Sequence, residues 1–162
     1  MKVYTPKRMR VTAKGEYATR AVLHLAVHHP DVVTIHEIGS RNGIPVKYLE
    51  QILLELRRGG LISSRRGVHG GYRLVRDPAE ISVGEVLRIV DRRVMDSSCE
   101  QRNSERGYLC ADAEGCGLKQ VWNDVRIAVE KILFQTSFAD VCARSERDAP
   151  SHSRSRLCEL RA

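Results

Sequence analysis

The chain of 162 residues carries 27 Lys and Arg against 20 Asp and Glu, a formal net charge of +7 at pH 7. Residues 1–93 contain 17 of the basic residues and 9 of the acidic ones, so the positive charge is concentrated in the N-terminal part, as in proteins that bind nucleic acid. No stretch is apolar enough to cross a membrane, and the N-terminal MKVYTPKRMR lacks the apolar core of a signal peptide, so we expect a cytoplasmic protein with no membrane partner.

The first predicted helix spans Lys14 to His29 and ends before Pro30. Its histidines, His24, His28 and His29, suit the surface of this helix. Two apolar rows at helical spacing predict the face that packs on the rest of the domain, namely Tyr17, Ala21, Leu25 and Ala18, Val22, Ala26.

Two short helices joined by a tight turn are predicted next. Thr34 and Glu37 form a capping box that opens the first helix, and Gly43 ends it. Pro45 suits the start of the second helix, which ends at Gly59. One apolar stripe runs along this second helix, formed by Tyr48, Leu49, Ile52, Leu53 and Leu56.

The segment LISSRRGVHGGYRLVR, Leu61 to Arg76, is predicted to form a β-hairpin. We expect Gly70 and Gly71 to supply the positive φ angles of a tight hairpin. A solvent-exposed hairpin without any function would contain the same glycines. The order helix, turn, helix and basic hairpin nevertheless favours a winged helix-turn-helix, in which the hairpin contacts the DNA backbone or minor groove. Its basic residues are Arg65, Arg66, Arg73 and Arg76.

The N-terminal end of the second helix is the part of this motif that faces base edges. Its residues outside the apolar stripe are therefore candidate DNA contacts, although each alone could belong to a solvated face. They are Val46, Lys47, Glu50 and Gln51. In the hairpin, His69 is a further candidate.

After the hairpin, Ser82 and Glu85 predict the start of a helix that packs on the same core. A polar segment then contains Cys99, Cys110 and Cys116 within 18 residues. Disulfides are disfavoured in a reducing cytoplasm, so clustered thiols indicate a metal or iron-sulfur site, with free or redox-sensing thiols as the alternative. Their spacing matches neither zinc-finger nor ferredoxin patterns.

The remaining chain predicts a long amphipathic helix with no cover from its own domain. We expect it to pair with its copy in a homodimer, and packing back on its own domain is the competing interpretation. Ser137 and Asp140 predict the cap of a final short helix, and the Ser/Arg-rich residues 144–162 are expected to be disordered. The apolar stripe of the long helix consists of Leu118, Val121, Trp122, Val125, Val129, Ile132 and Leu133.

Residues 9 to about 143 resemble the IscR/NsrR/CymR type of bacterial transcription regulators, the Rrf2 family. The resemblance rests on MRVTAKGEYATRAVLHLA, IHEIGSRNGIPVKYLEQILLELRRGGLISSRRGVHGGYRL, ISVGEVLRIVD, the Cys-containing segment and TSFADV. It implies a dimeric winged helix-turn-helix repressor or activator of operator DNA. Many members hold a [2Fe-2S] or [4Fe-4S] cluster through three cysteines and sense iron, cluster supply, nitric oxide or redox state.

Carried over by position, the resemblance implies that Cys99, Cys110 and Cys116 are cluster ligands, although the first gap is longer than usual. The histidine that serves as fourth ligand in the iron-sulfur branch is replaced by Lys119, which cannot ligate. In the nitric-oxide-sensing branch an acidic residue of the other subunit completes the site, and Glu16 stands at that position; a role in satisfying the helix dipole is its alternative. For DNA, the resemblance implicates Tyr48, Glu50 and Gln51 in the groove and Arg66 with Gly70 and Gly71 in the wing.

The sequence therefore predicts a mainly α protein with a small β-hairpin. We expect a winged helix-turn-helix domain at 9–93, a cluster-binding segment at 94–117, and a dimerisation helix with a short terminal helix at 118–143. The predicted function is a transcriptional regulator, most simply a repressor, controlled by an iron-sulfur cluster. The alternatives are the same regulator with a thiol or zinc switch, or a cluster-handling protein that binds no DNA. Because no nucleophile-base pair or phosphate loop appears, an enzyme is not expected.

Overall fold

The computed structural model describes residues 11–91 and 117–148. These residues form a mainly helical domain with one two-stranded antiparallel hairpin, as the sequence predicts. The helices are α1 (Ala13–Val27), α2 (Ile35–Asn42), α3 (Val46–Arg58), α4 (Val83–Val90), α5 (Gly117–Gln135) and α6 (Phe138–Asp148). The strands are β1 (Ile62–Arg65) and β2 (Gly71–Leu74), followed by a short 3-10 helix at Pro78–Glu80.

Hydroxyl side chains begin the helices where the sequence predicts them. Thr34 and Ser82 each accept a hydrogen bond from the backbone N–H three residues later, at the start of α2 and α4. Thr12 does the same for α1. Gly43 ends α2 with a φ of 64°, a left-handed conformation that favours glycine. The capping pattern therefore fixed these boundaries to within one or two residues.

The core lies between α1, α3 and α4. The predicted stripe of α3 is buried completely at Leu49, Ile52, Leu53 and Leu56, and it packs against the buried rows of α1. Each side chain of this size contributes about 1.5–3 kcal/mol when removed from water. Because the core face of α3 is fixed in this way, the opposite face of the same helix must point away from the domain.

The hairpin formed by Ile62–Leu74, which we call the wing, is joined to the chain that enters α2. Val33 and Tyr72 exchange both backbone hydrogen bonds, at 2.9 and 2.8 Å. A Cβ atom on Gly71 would collide with the carbonyl oxygen of Val33, so only glycine permits this approach. The wing therefore has a short third strand partner contributed by the loop between α1 and α2.

The predicted role of the glycines in the wing needs correction. Gly70 and Gly71 do not have positive φ angles; the positive φ of the turn, 110°, belongs to Gly67. Gly70 is instead required because a Cβ there would lie 2.6 Å from the carbonyl oxygen of Arg65. The sequence signal of a Gly-containing hairpin was right, but the reason for the Gly-Gly pair is close backbone approach.

The C-terminal helices return to the domain at one place. Phe138, the first residue of α6, is buried in the core, and its N–H donates to the carbonyl of Ile81. Just before it, the ring of Phe134 in α5 contacts Gly84 and lies 5.4 Å from the guanidinium of Arg88. Disorder was predicted from residue 144, whereas α6 continues to Asp148, so that boundary was wrong.

Candidate nucleic-acid interface

The outward face of α3 carries the residues predicted to contact DNA bases. Lys47, Glu50 and Gln51 are exposed, and Val46 is half-buried near the start of the helix. Tyr48 is also half-buried, and its ring meets Tyr17 of α1 edge to face, with centroids 5.8 Å apart. This contact fixes the position of the tyrosine ring on the rim of the surface. The five predicted residues of α3 thus form one contiguous edge.

The wing places its predicted residues at an exposed tip. Arg65, Arg66 and His69 are exposed, and Gly70 and Gly71 lie at the start of the returning strand. Within the part of the chain that the structure describes, neither Arg65 nor Arg66 has a carboxylate within 4.0 Å. Their charge is consequently available to a phosphate or to a narrow minor groove.

Several contacts hold the wing in a fixed position relative to α3. The guanidinium of Arg57, in the last turn of α3, donates to the hydroxyl of Ser64 in β1 at 3.1 Å. Strand β1 follows α3 after only three residues, and the wing is closed at its base by the N–H of Val75 donating to the carbonyl of Leu61. The wing is therefore held against the C-terminal end of α3, the helix whose N-terminal part carries the predicted base contacts.

Ion pairs elsewhere in the domain leave the basic tip of the wing unpaired. Lys14 of α1 pairs with Glu55 of α3 at 2.7 Å, and Arg76 pairs with Glu85 of α4 at 2.5 Å. Both pairs lie between elements of the domain and help fix α1 and α4 on their neighbours. Glu55 and Glu85 are thus engaged by other cations, and no carboxylate among the described residues pairs with the arginines at the wing tip.

One exposed residue of this surface has no counterpart in the sequence-based predictions. Val68, between the wing arginines and His69, is 98% exposed. An apolar side chain at the tip of a basic hairpin fits contact with sugar or base edges. Its position is the signal that reveals it, because the sequence places Val68 in the turn of the predicted hairpin, where a valine side chain is not buried.

Glu16, the predicted fourth cluster ligand, is exposed in the first turn of α1. It forms an ion pair with Arg20 at 2.5 Å. An exposed pair of this kind contributes little and exchanges readily. The three predicted cluster ligands Cys99, Cys110 and Cys116 lie outside the described residues. Glu16 itself lies on the surface, and its proposed role as a ligand beside them stays a prediction.

The start of α1 is also connected to the end of α4. The hydroxyl of Thr12 donates to the carboxylate of Asp91, a buried acidic residue, while it accepts from the N–H of Gly15. Asp91 is the last described residue before the segment with the cysteines. The first turn of α1, which carries Glu16, is therefore hydrogen-bonded to the point from which that segment departs.

Helix α5 presents most of its apolar stripe to solvent. Its C-terminal end contacts α4 through Phe134, whereas most of the predicted stripe is exposed within the described residues. The exposed large apolar side chains of α5 are Leu118, Val121, Trp122, Val125, Ile127, Ile132 and Phe134.

No helix among the described residues is both long and apolar enough to cross a membrane.

The histidines of α1 do not lie on the surface as predicted. His24 and His28 are largely buried, with side chains 10% and 13% exposed, and both face Glu37 of α2. Their spacing of four residues was visible in the sequence, but the acidic partner on the next helix was not recognised.

Comparison with known proteins identifies the family. Residues 11–144 match the Rrf2 family, described as iron-dependent transcriptional regulators. An HTH-type transcriptional regulator from Azotobacter vinelandii, designated ORF2, is 40% identical over 139 residues, which cover 85% of this chain and 82% of that protein. The regulator IscR of Photorhabdus laumondii is 35% identical over 150 residues, covering 86% and 88%.

Among solved structures, CymR of B. subtilis, a global cysteine regulator, superimposes with a TM-score of 0.71 and 26% identity over 83% of this chain and 97% of CymR. The predicted resemblance to IscR- and CymR-type regulators is thereby confirmed, as is the expectation that the protein is not an enzyme, because these relatives regulate transcription. The chain belongs to the Rrf2 family of transcriptional regulators.

Proposed function

We propose that this protein is a homodimeric repressor that binds operator DNA and that its DNA binding is controlled by an iron-sulfur cluster. The observation that carries the DNA-binding part is that an exposed edge of α3 and an exposed basic wing tip belong to one hydrogen-bonded unit. In this proposal Gln51 and Glu50 read base edges in the major groove, with Val46, Lys47 and Tyr48 beside them. Arg65, Arg66 and His69 contact phosphates or the minor groove.

The exposed stripe of α5 supports the homodimer. Five exposed large apolar residues on one face of a helix are unusual on the surface of a monomer, and a second copy of the same helix is a partner of matching shape and chemistry; the five are Leu118, Val121, Trp122, Val125 and Ile132. A dimer also presents two copies of α3, as two half-sites of an operator require.

Sedimentation analysis tests the dimer. We expect Trp122→Glu, which puts a charge into the stripe, to convert the protein to a monomer. Gln120→Glu adds the same charge at an exposed polar position of the same helix and should leave the dimer intact. Dimers that persist in Trp122→Glu would contradict the role of α5.

Cys99, Cys110 and Cys116 are the proposed cluster ligands. Three thiolates are the donors that iron-sulfur clusters prefer, and the description of the family as iron-dependent agrees with an iron-containing site. The exposed Glu16 carboxylate, held only by a surface ion pair, is accessible to a second subunit and chemically suited to be an exchangeable fourth ligand. When bound, such a cluster supplies redox and nitric-oxide reactivity.

The absorption spectrum and the iron and sulfide content of protein purified without oxygen test the cofactor. We expect brown protein with equal iron and sulfide, and loss of colour in Cys110→Ser but not in Cys158→Ser, which removes a thiol outside the cluster-binding segment. Colourless wild-type protein would reject the cluster and favour a thiol or zinc switch on the same regulator.

A separate variant tests the fourth ligand. Glu16→Ala should change the visible spectrum or shorten the lifetime of the bound cluster, because a ligand is lost. Arg20→Ala removes only the ion-pair partner of Glu16 and should leave the spectrum unchanged. Identical spectra in wild type and Glu16→Ala would remove Glu16 from the ligand set while leaving the three cysteines in place.

A further inference from the structure

A second group of metal-ligating side chains lies far in sequence from the cysteines, at the junction of α1 and α2. It consists of His24 and His28, one helical turn apart on α1, and Glu37 in the first turn of α2. The carboxylate oxygen of Glu37 lies 3.7 Å from Nε2 of His24 and 3.8 Å from Nε2 of His28. The ligand atoms of all three side chains lie within 4.8 Å of one another.

The hydrogen bonding of these residues leaves electron pairs directed at one point. Nδ1 of His28 lies 2.8 Å from the carbonyl oxygen of His24, so Nδ1 carries the proton in the neutral ring and Nε2 keeps its lone pair. The Nε2 atom of His24 is buried and has no hydrogen-bond partner among the described residues. The lone pair of His28, the carboxylate of Glu37 and the unpaired Nε2 of His24 thus face one another.

A cation bound at this point would give the unpaired nitrogen of His24 a partner. A buried polar atom without a partner costs about 1–3 kcal/mol. Burial lowers the pKa of His24 below its usual value, and the nearby His28 lowers it further, although the Glu37 carboxylate acts in the opposite direction. Two imidazole rings therefore face the Glu37 carboxylate at a largely buried point between α1 and α2.

We infer that His24, His28 and Glu37 bind a divalent transition-metal ion of the Zn²⁺ class. Two histidines four residues apart on a helix with one carboxylate are a known zinc ligand set that leaves one position open. Metal-ligand distances of about 2.0–2.1 Å put tetrahedral ligand atoms about 3.3 Å apart, so the two distances to Glu37 need to shorten by about 0.5 Å and the distance between the two imidazoles, which is within 4.8 Å, by at most about 1.5 Å.

The backbone contact of His28 resembles the outer shell of established metal sites. Ligating histidines generally donate their second ring N–H to a carbonyl or carboxylate, which fixes the ring and raises its basicity. The carbonyl of His24 has this role here. A bound ion would join α1 directly to α2, the first helix of the helix-turn-helix, without involving the proposed cluster ligands.

Zinc titration of the full chain with Cys99, Cys110 and Cys116 replaced by Ser tests the site without the thiols of that segment. We expect one Zn²⁺ per chain in competition with a chromophoric chelator, and at least tenfold weaker binding in His28→Gln and in Glu37→Gln. His36→Gln removes an exposed histidine next to Glu37 and should bind zinc as the parent does. Circular dichroism of each variant checks that it remains folded.

Histidine ring NMR signals provide a readout that does not depend on the variants. Zinc should shift the ring signals of His24 and His28 and leave those of His36 in place, whereas Mg²⁺, which prefers oxygen ligands, should shift none of them. Equal zinc affinity in His28→Gln and His36→Gln, or rings that respond to protons alone and not to zinc, would overturn the inference. Either result leaves the proposed iron-sulfur site untouched.

Discussion

Replacement of Arg66 by Ala tests the proposed function of the wing directly. Arg66 is exposed and unpaired among the described residues, so its removal should not disturb the packing of the domain. If it contacts one phosphate, the slope of log K against log salt becomes shallower by about 0.9. Between about 50 and about 200 mM salt, wild-type protein should then lose about 3.5 times more affinity than the variant.

Fluorescence anisotropy with a duplex selected by the protein from a random pool, and with a scrambled duplex, measures this difference. Arg66→Ala should weaken binding to both duplexes. Arg144→Ala removes an equal charge from α6, outside the helix-turn-helix and the wing, and should keep the wild-type slope. Gln51→Ala should lower affinity for the selected duplex by about 1–3 kcal/mol per lost base contact and spare the scrambled one. An unchanged slope in Arg66→Ala would refute the phosphate contact.

Further predictions concern the stability of the domain. Phe138→Ala should lower the free energy of unfolding by about 3–5 kcal/mol because its ring is buried in the core. Phe134 is 38% exposed, so Phe134→Ala should lower it by about 1 kcal/mol. Urea unfolding at fixed protein concentration compares the two variants, and equal losses would contradict the packing described. Gly71→Ala should break the bridge between Val33 and Tyr72 and accelerate hydrogen exchange of both amides, while unchanged exchange would show that the backbone accommodates the Cβ. In metal-free buffer, the free energy of unfolding should fall as pH decreases from about 7.5 to about 5.5, because the lowered pKa of His24 means that the unfolded chain takes up a proton at higher pH than the folded one. His24→Gln should reduce this pH dependence. An equal pH dependence in wild type and variant would refute the lowered pKa of His24.

Local signals in the sequence were sufficient for most of the fold. Thr34, Ser82 and Gly43 act through contacts within four residues, so their patterns predict helix boundaries without knowledge of the tertiary structure. The apolar stripe of α3 similarly predicts which face is buried, and the outward edge with Lys47 and Gln51 follows from it.

Features that depend on contacts between distant segments were missed or misinterpreted. Gly71 is required because the backbone of Val33, 38 positions earlier in the sequence, packs against it. The sequence of the hairpin alone does not reveal this contact. His24 and His28 were assigned to a surface because Glu37 comes from another helix. The extent of α6 was underestimated because Phe138 anchors a helix whose later residues are polar.

The bridge between Val33 and Tyr72 limits the internal degrees of freedom of the DNA-binding region. Val33 directly precedes Thr34, the cap of α2, so the wing cannot swing independently without breaking the two hydrogen bonds beside that cap. Arg57 ties the other strand of the wing to α3. These hydrogen bonds consequently couple helix α3 and the wing into one body. In the proposed dimer, a signal can therefore alter DNA affinity by changing the position of this body relative to its copy in the partner subunit. The shape of the wing itself need not change.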